Sequence, residues 1–191
     1  MNGANRIVSS EAEELILVDS TDRALGHLSK AACHDGHGVL HRAFSLFLFN
    51  AAGELLLQQR SDSKRLWPGF WSNSCCSHPR RGETLELATR RRLEDELNID
   101  ATLEHVYKFQ YQADFGARGA EHELCHVFLG RLAGAPEPNA CEIAALRFIG
   151  ADDLDREFEV QALRFTPWFR LEWQTLRERH AARLDNYLRS G

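Results

Sequence analysis

The stretch that most limits what this chain can become runs from Leu66 to Pro79 and reads LWPGFWSNSCCSHP. Two tryptophans, two prolines and one glycine restrict its shape, and it ends with two adjacent cysteines standing two and three residues before a histidine. Packing alone calls for neither vicinal cysteines nor a stiffened aromatic loop. The segment reads as the floor of an active site.

The rest of the chain is bounded by its size and charge. At 191 residues it suits one domain, expected over residues 14–191, preceded by a flexible polar tail over residues 1–13. A formal charge of -5 lacks the basic excess of a nucleic-acid binder, so an anionic ligand must be met by local cations. Five cysteines at irregular spacing, with no apolar leader in MNGANRIVSS and no apolar run of membrane length, predict a reduced, soluble, cytoplasmic protein without a membrane span.

Along the chain, LILVDS (15–20) reads as a strand, and the polar segment 21–38 as a loop or short helix carrying His27, His34 and His37. FSLFLFNAAGELLLQQR reads as a hairpin, with strands at 44–49 and 54–59 around a turn at 50–53. Thr84 and Asn98 are the expected caps of a helix with Leu85, Ala88, Leu93 and Leu97 at helical spacing. Further strands are expected at 103–113, 123–132 and 144–149, the first two joined by a turn at 116–119. Asp152 and Asp153 open a short helix, and Thr166 with Pro167 begins a last one. That helix carries the stripe Phe169, Trp173, Leu176, His180, Leu184 and Leu188, expected to pack in the core or against a second copy. Helices and strands without regular βαβ alternation predict a mixed α+β sheet flanked by helices.

Three constellations carry chemistry. His34, His41 and His78 with Glu121 and Glu123, the last two on one face of a strand, would suit a divalent transition ion such as zinc or manganese. Cys75 and Cys76 point to opposite sides of an extended segment, so one is a candidate reactive thiol and the other a small buried apolar group. Arg60, Lys64, Arg65, Arg80, Arg81, Arg90, Arg91 and Arg92 are dense enough for a diphosphate, with Glu96 available to hold Mg²⁺; the alternative is a cationic solubilising face, with Arg92 and Glu96 as a solvated pair four residues apart.

Together these stretches resemble the type 1 isopentenyl-diphosphate Δ-isomerase family, from about Leu15 to Trp168, in WPGFWSNSCCSHP, His34 with His41, the Glu-x-Glu at Glu121 and Glu123, and TPW at Thr166 to Trp168. The resemblance implies a Nudix-like α/β/α sandwich with an extra C-terminal helix, and conversion of isopentenyl diphosphate to dimethylallyl diphosphate through a tertiary carbocation in isoprenoid biosynthesis. It implies Cys76 and Glu123 as the catalytic pair, Tyr111 bonded to Glu123, and Trp168 facing the cation. Lys30, Arg60, Lys64 and Arg92 are implied to bind the diphosphate. His34, His41, His78, Glu121 and Glu123 are implied to hold Mn²⁺, Zn²⁺ or Mg²⁺, and Glu96 the Mg²⁺ that accompanies the substrate. The partner implied is a small isoprenoid diphosphate, with the protein a monomer or homodimer.

The helix also carries an altered Nudix hydrolase signature over Ser77, Glu83, Arg91, Arg92, Leu93, Asp95, Glu96, Asn98 and Ile99. Ser77 and Asn98 replace glycines, Asp95 replaces one glutamate, and Arg92 replaces another that would bind metal. A hydrolase needs clustered acids to gather Mg²⁺ at a pyrophosphate, so an arginine there favours holding a diphosphate over cutting it. A Nudix-type pyrophosphohydrolase and a non-catalytic metal-stabilised binding domain are the competing readings.

Overall fold

The computed structural model describes residues 6–189. Its centre is β3 (His41–Phe49), whose residues from Ala43 onward are all buried. Side chains of a strand alternate between faces, and β3 is apolar on both. Phe44, Leu46 and Leu48 pack with Ala88, Leu93 and Leu97 of α2 (Leu85–Leu97). Ala43, Phe47 and Phe49 pack on the other side with Phe169, Trp173 and Leu176 of α4 (Pro167–Arg179) and Leu184 of α5 (Ala181–Leu188). The expected α/β/α sandwich follows from this two-sided burial.

Among the described residues, nine strands form one mixed sheet. β1 (Glu14–Val18) pairs with β2 (Ala24–Ser29) at one edge and meets β3 at Leu17 opposite His41. β4 (Leu55–Arg60) meets β3 at Phe49 opposite Leu55, bonds to β5 (Trp71–Ser72), and pairs at length with β9 (Ile143–Ile149). β6 (Cys75–Ser77) lies antiparallel on β3, placing Cys76 opposite Ser45. β8 (Ala120–Arg131) runs parallel to β3 and antiparallel to β7 (Leu103–Asp114), so Glu123 stands between His41 and Tyr111. α1 (Lys30–His34) follows β2, and α3 (Ala151–Gln161) follows β9.

Thr84 and Asn98 cap α2 as expected. The Thr84 hydroxyl accepts from the Leu87 N–H, and Asn98 adopts φ 52°, the left-handed conformation that ends a helix. Thr166 takes the N-cap position of α4, but its hydroxyl hydrogen-bonds Ser72 at 2.9 Å while its N–H donates to Trp71 O at 3.0 Å. That contact ties Trp168 to the aromatic loop.

Three expectations are corrected. The segment 21–38 contains a strand as well as a helix; β2 is an edge strand, half exposed, so it lacks the apolar alternation that marks a strand. The last helix is two helices, broken at His180 (φ -128°, ψ 23°), whose ring stacks on Tyr107 at 4.8 Å. The turn buries Leu184 and brings the Leu188 carbonyl so close to Gly53 that a Cβ there would lie 2.1 Å from it. Residues 6–13, expected as part of a flexible tail, are tied down: Val8 O accepts from Arg92 Nη1 at 3.1 Å, Ser9 Oγ from Lys30 Nζ at 2.5 Å, and Glu13 pairs with Arg80 at 2.6 Å. No helix among the described residues is long and apolar enough to cross a membrane.

Candidate active site

The aromatic loop is held in a conformation its sequence resists. Trp67 has φ 46°, a region costing a bulky residue about 1–3 kcal/mol. Its surroundings hold it there. Its carbonyl accepts from Arg60 Nε at 3.1 Å, and its ring meets Trp168 edge-on at 5.2 Å and Phe115 at 4.9 Å. Arg60 also donates to Leu66 O at 2.9 Å and lies 5.3 Å over the Trp168 ring. The loop thereby fixes an aromatic wall beside Cys76.

A cavity of about 470 Å³ opens there. Cys76, Tyr111, Glu123 and Trp168 line it together with Lys30, Arg60, Lys64, Arg65 and Arg92. Of the eight arginines and lysines grouped from sequence, the remaining four are engaged elsewhere: Arg80 with Glu13, Arg81 with Glu14, Arg91 with Glu83, and Arg90 toward Asp100. The basic density is therefore no uniform solubilising face. Lys30 and His34 reach the cavity together because α1 is a single turn, which puts residues four apart on one side.

His34, His41, His78, Glu121 and Glu123 bring one ligand atom each to within 4.8 Å of one another. His34 Nε2 lies 2.8 Å from Glu121 Oε2, His78 Nε2 2.8 Å from Glu123 Oε1, and His41 Nε2 3.8 Å from the same oxygen. His41 Nδ1 donates to Val39 O at 2.7 Å, which leaves Nε2 free as a ligand. His34 Nε2, His41 Nε2 and Glu121 Oε2 are buried and make no hydrogen bond, the 2.8 Å approach of His34 to Glu121 lacking hydrogen-bond geometry. Buried polar atoms without partners are costly, and three aimed at one point fit a metal ion. Burial and the neighbouring His78 push His41 down to about 3, so it stays neutral, as a ligand must.

The candidate acid and base face different surroundings. Tyr111 donates its hydroxyl to Glu123 Oε2 at 2.6 Å. Burial, and then Glu121, raise Glu123 above the ordinary carboxylate range; for Glu121 burial acts the same way, but His34 and the other imidazoles hold it below. Cys76 is pushed up to about 12 by burial, with Arg60 the cation that opposes this. The vicinal cysteines do point to opposite sides: Cys76 lines the cavity, while Cys75 is buried toward α2 and donates to Glu96 Oε1 at 3.5 Å.

Arg92 and Glu96 are paired but not solvated. Both are buried, and Arg92 Nε donates to Glu96 Oε1 at 2.7 Å. Glu96 lies behind Arg92 and is absent from the cavity lining, where it was expected to hold Mg²⁺. Glu11 and Glu142 line the cavity near the cations, Glu142 in contact with Lys64 and 3.4 Å from Arg92 Nη2. Sequence reasoning passed over Glu142 because it stands in an irregular loop, without spacing to another functional residue.

A family description named NUDIX domain matches residues 39–169. A relative from Photorhabdus laumondii, named isopentenyl-diphosphate Delta-isomerase 1, is 42% identical over 174 residues, 90% of this chain and 99% of its own. One from Burkholderia multivorans, named isopentenyl-diphosphate Delta-isomerase, is 44% identical over 157 residues, 82% of this chain and 89% of its own. Among solved structures, a Deinococcus radiodurans protein matches with a TM-score of 0.64 at 25% identity, covering 78% of this chain and 90% of that one. A MutT protein from Methanosarcina mazei Go1 matches with a TM-score of 0.58 at 16% identity, covering 77% and 94%, a likeness of fold alone. The chain belongs to the Nudix superfamily and, within it, to the isopentenyl-diphosphate Delta-isomerase family.

Proposed function

We propose that this protein converts isopentenyl diphosphate to dimethylallyl diphosphate, with Cys76 and Glu123 exchanging the protons. The observation that carries the reading is a buried thiol and a buried, Tyr111-bonded carboxyl lining one cavity with a group of cations. Moving the double bond adds a proton to C4 of the alkene, leaves a tertiary cation at C3, and removes a proton from C2. An acid and a base are needed together, with water kept away from the cation. One of the pair must be protonated and the other ionised. Burial pushes both toward the protonated form, while Arg60 favours the Cys76 thiolate and the Tyr111 hydrogen bond the Glu123 carboxylate.

Trp168 offers its ring face to the cation, an attraction of about 2 kcal/mol in a desolvated site. Placement of the two proton-transfer groups and exclusion of water supply more. Lys30, Arg60, Lys64 and Arg92 hold the diphosphate. His34, His41, His78, Glu121 and Glu123 would hold a divalent ion, Mn²⁺, Zn²⁺ or Mg²⁺, which when bound fixes the Glu123 carboxyl and tunes its acidity. Mg²⁺ would enter with the substrate diphosphate. Five free cysteines suit the reducing cytoplasm.

Pyrophosphate hydrolysis is disfavoured because Arg92 fills a position where that chemistry needs a metal-binding acid, and its guanidinium is bound to Glu96. Incubation with isopentenyl diphosphate and Mg²⁺ should give an acid-labile allylic diphosphate and no inorganic phosphate, and Cys76→Ala should stop it. Phosphate release that survives Cys76→Ala would overturn the reading in favour of hydrolysis.

A further inference from the structure

His105 and His126 bring two imidazole nitrogens together on the opposite face of the sheet from the metal-binding glutamates. Alternate residues of β8 share a face, so His126 points away from the side that carries Glu121 and Glu123. His105 reaches the face of His126 only through an irregularity in β7. It stands opposite Phe128, Tyr107 stands opposite Val127, and Val106 is the extra residue between them. In a regular strand His105 would share the face of Tyr107, whose hydroxyl donates to Glu172 O on α4. The bulge re-aims His105, and its Nε2 lies 3.1 Å from His126 Nδ1.

A carboxylate decides which nitrogen of His126 carries the hydrogen. Asp22 Oδ2 lies 2.9 Å from His126 Nε2, and Arg42 and Lys108 donate to the Asp22 carboxylate at 2.7 and 3.1 Å. Paired in this way Asp22 is ionised and only accepts, so Nε2 carries the hydrogen and Nδ1 turns its lone pair toward His105. His105 Nε2 therefore supplies the hydrogen of the 3.1 Å contact. A ring nitrogen aimed at a second imidazole, with the other nitrogen held by a carboxylate, is how a metal-binding histidine is oriented. Two imidazole nitrogens on one ion at about 2.0–2.1 Å stand roughly 2.9–3.4 Å apart, which this pair satisfies.

The surroundings permit an ion. Burial pushes His126 down to about 4, and burial with Lys108 lowers His105, so both rings are neutral, as ligands must be. The neighbouring cations are engaged: Arg42 and Lys108 by Asp22, and Arg183 by Glu104 and the His105 and Val106 carbonyls. His105 is exposed, so its hydrogen can pass to Nδ1 in water and its ring can swing to meet an ion lying off the line between the two nitrogens.

We propose that His105 Nε2 and His126 Nδ1 form a second metal site, oriented by Asp22, for a borderline divalent ion, Zn²⁺ or Ni²⁺, with water completing its coordination. It shares no residue with the five-ligand cluster. The ion would clip β7 to β8, the strands that carry Tyr111 and Glu123, and through Asp22 tie both to the β1–β2 turn.

Calorimetric titration with Zn²⁺ of the chelated wild type and of His105→Gln reads the site by difference, without reference to activity. The five-ligand cluster, every cysteine and the other histidines are the same in both, so their ions cancel. The wild type should bind about one ion per chain more than His105→Gln, and equal stoichiometry would overturn the inference. Nitrogen-15 NMR of the wild-type imidazoles needs no variant. Before Zn²⁺, His126 should carry its hydrogen on Nε2; at saturation the His105 Nε2–H signal should vanish, and His105 Nε2 and His126 Nδ1 should both shift. A hydrogen on His126 Nδ1, or a pair unmoved by saturating Zn²⁺, would overturn it. Asp22→Asn should keep the second ion but hold it at least about tenfold more weakly, and unchanged affinity would overturn the orienting role of Asp22.

Discussion

Tyr111 and Glu123 face each other across the β7–β8 pair, and the tyrosine hydroxyl donates to Glu123 Oε2 at 2.6 Å. The other Glu123 oxygen lies 2.8 Å from His78 Nε2. The carboxyl is thus held from two sides, one oxygen toward the imidazole cluster and the other toward the tyrosine.

Removing the tyrosine donor should cost reactivity more than binding, because Tyr111 bonds to the Glu123 carboxyl and to no cation. A hydrogen bond to a charged group contributes about 1.5–3 kcal/mol, so Tyr111→Phe should lower kcat by about 10- to 100-fold with KM changed less than about threefold. A rise in KM at unchanged kcat would place Tyr111 in binding instead.

The imidazole cluster should bind metal with a thermodynamic signature. Removal of metal by chelation should lower Tm and abolish isomerisation, and return of Mn²⁺, Zn²⁺ or Mg²⁺ should restore both, since a ligand that binds only the folded state stabilises it. Elemental analysis should find about one tightly held ion per chain, lost in His41→Ala. An identical Tm with and without every divalent ion would contradict the assignment.

Glu172 should make stability fall with rising pH. It is fully buried on α4 and accepts from the Cys125 thiol at 3.4 Å, with no cation beside it among the described residues. Burial pushes its carboxyl up to about 8 from an ordinary 4.5. A raised carboxyl contributes stability that is fully present below the unfolded value and lost as pH rises through the folded one. Glu172→Gln, which cannot ionise, should therefore match the wild type in Tm near pH 4.5 and exceed it increasingly up to pH 8, then level off. A difference of at least ~2 °C at pH 8 is expected; a difference independent of pH would rule out ionisation as its source.

Much of this was legible in the chain. The apolar run at 44–49 announced the buried central strand, and Thr84 with Asn98 marked the ends of α2, because caps and fully apolar strands are local signals. Glu121 and Glu123 could be paired from their spacing. What remained hidden depended on contacts distant in sequence. β2 is an edge strand without alternation, and the break at His180 is set by Tyr107, over seventy positions earlier. Val8 and Ser9 look like tail residues until Arg92 and Lys30 are seen to bond them. Glu142 acquires meaning only from Lys64 and Arg92 beside it.

The most direct test of the central claim is proton NMR of the metal-loaded protein with isopentenyl diphosphate and Mg²⁺ in D₂O. The account predicts the dimethylallyl isomer with deuterium in a methyl group, since the added proton comes from an exchangeable donor, and no conversion with Cys76→Ala. Unchanged substrate in the presence of fully loaded metal, or conversion undiminished by Cys76→Ala, would contradict it.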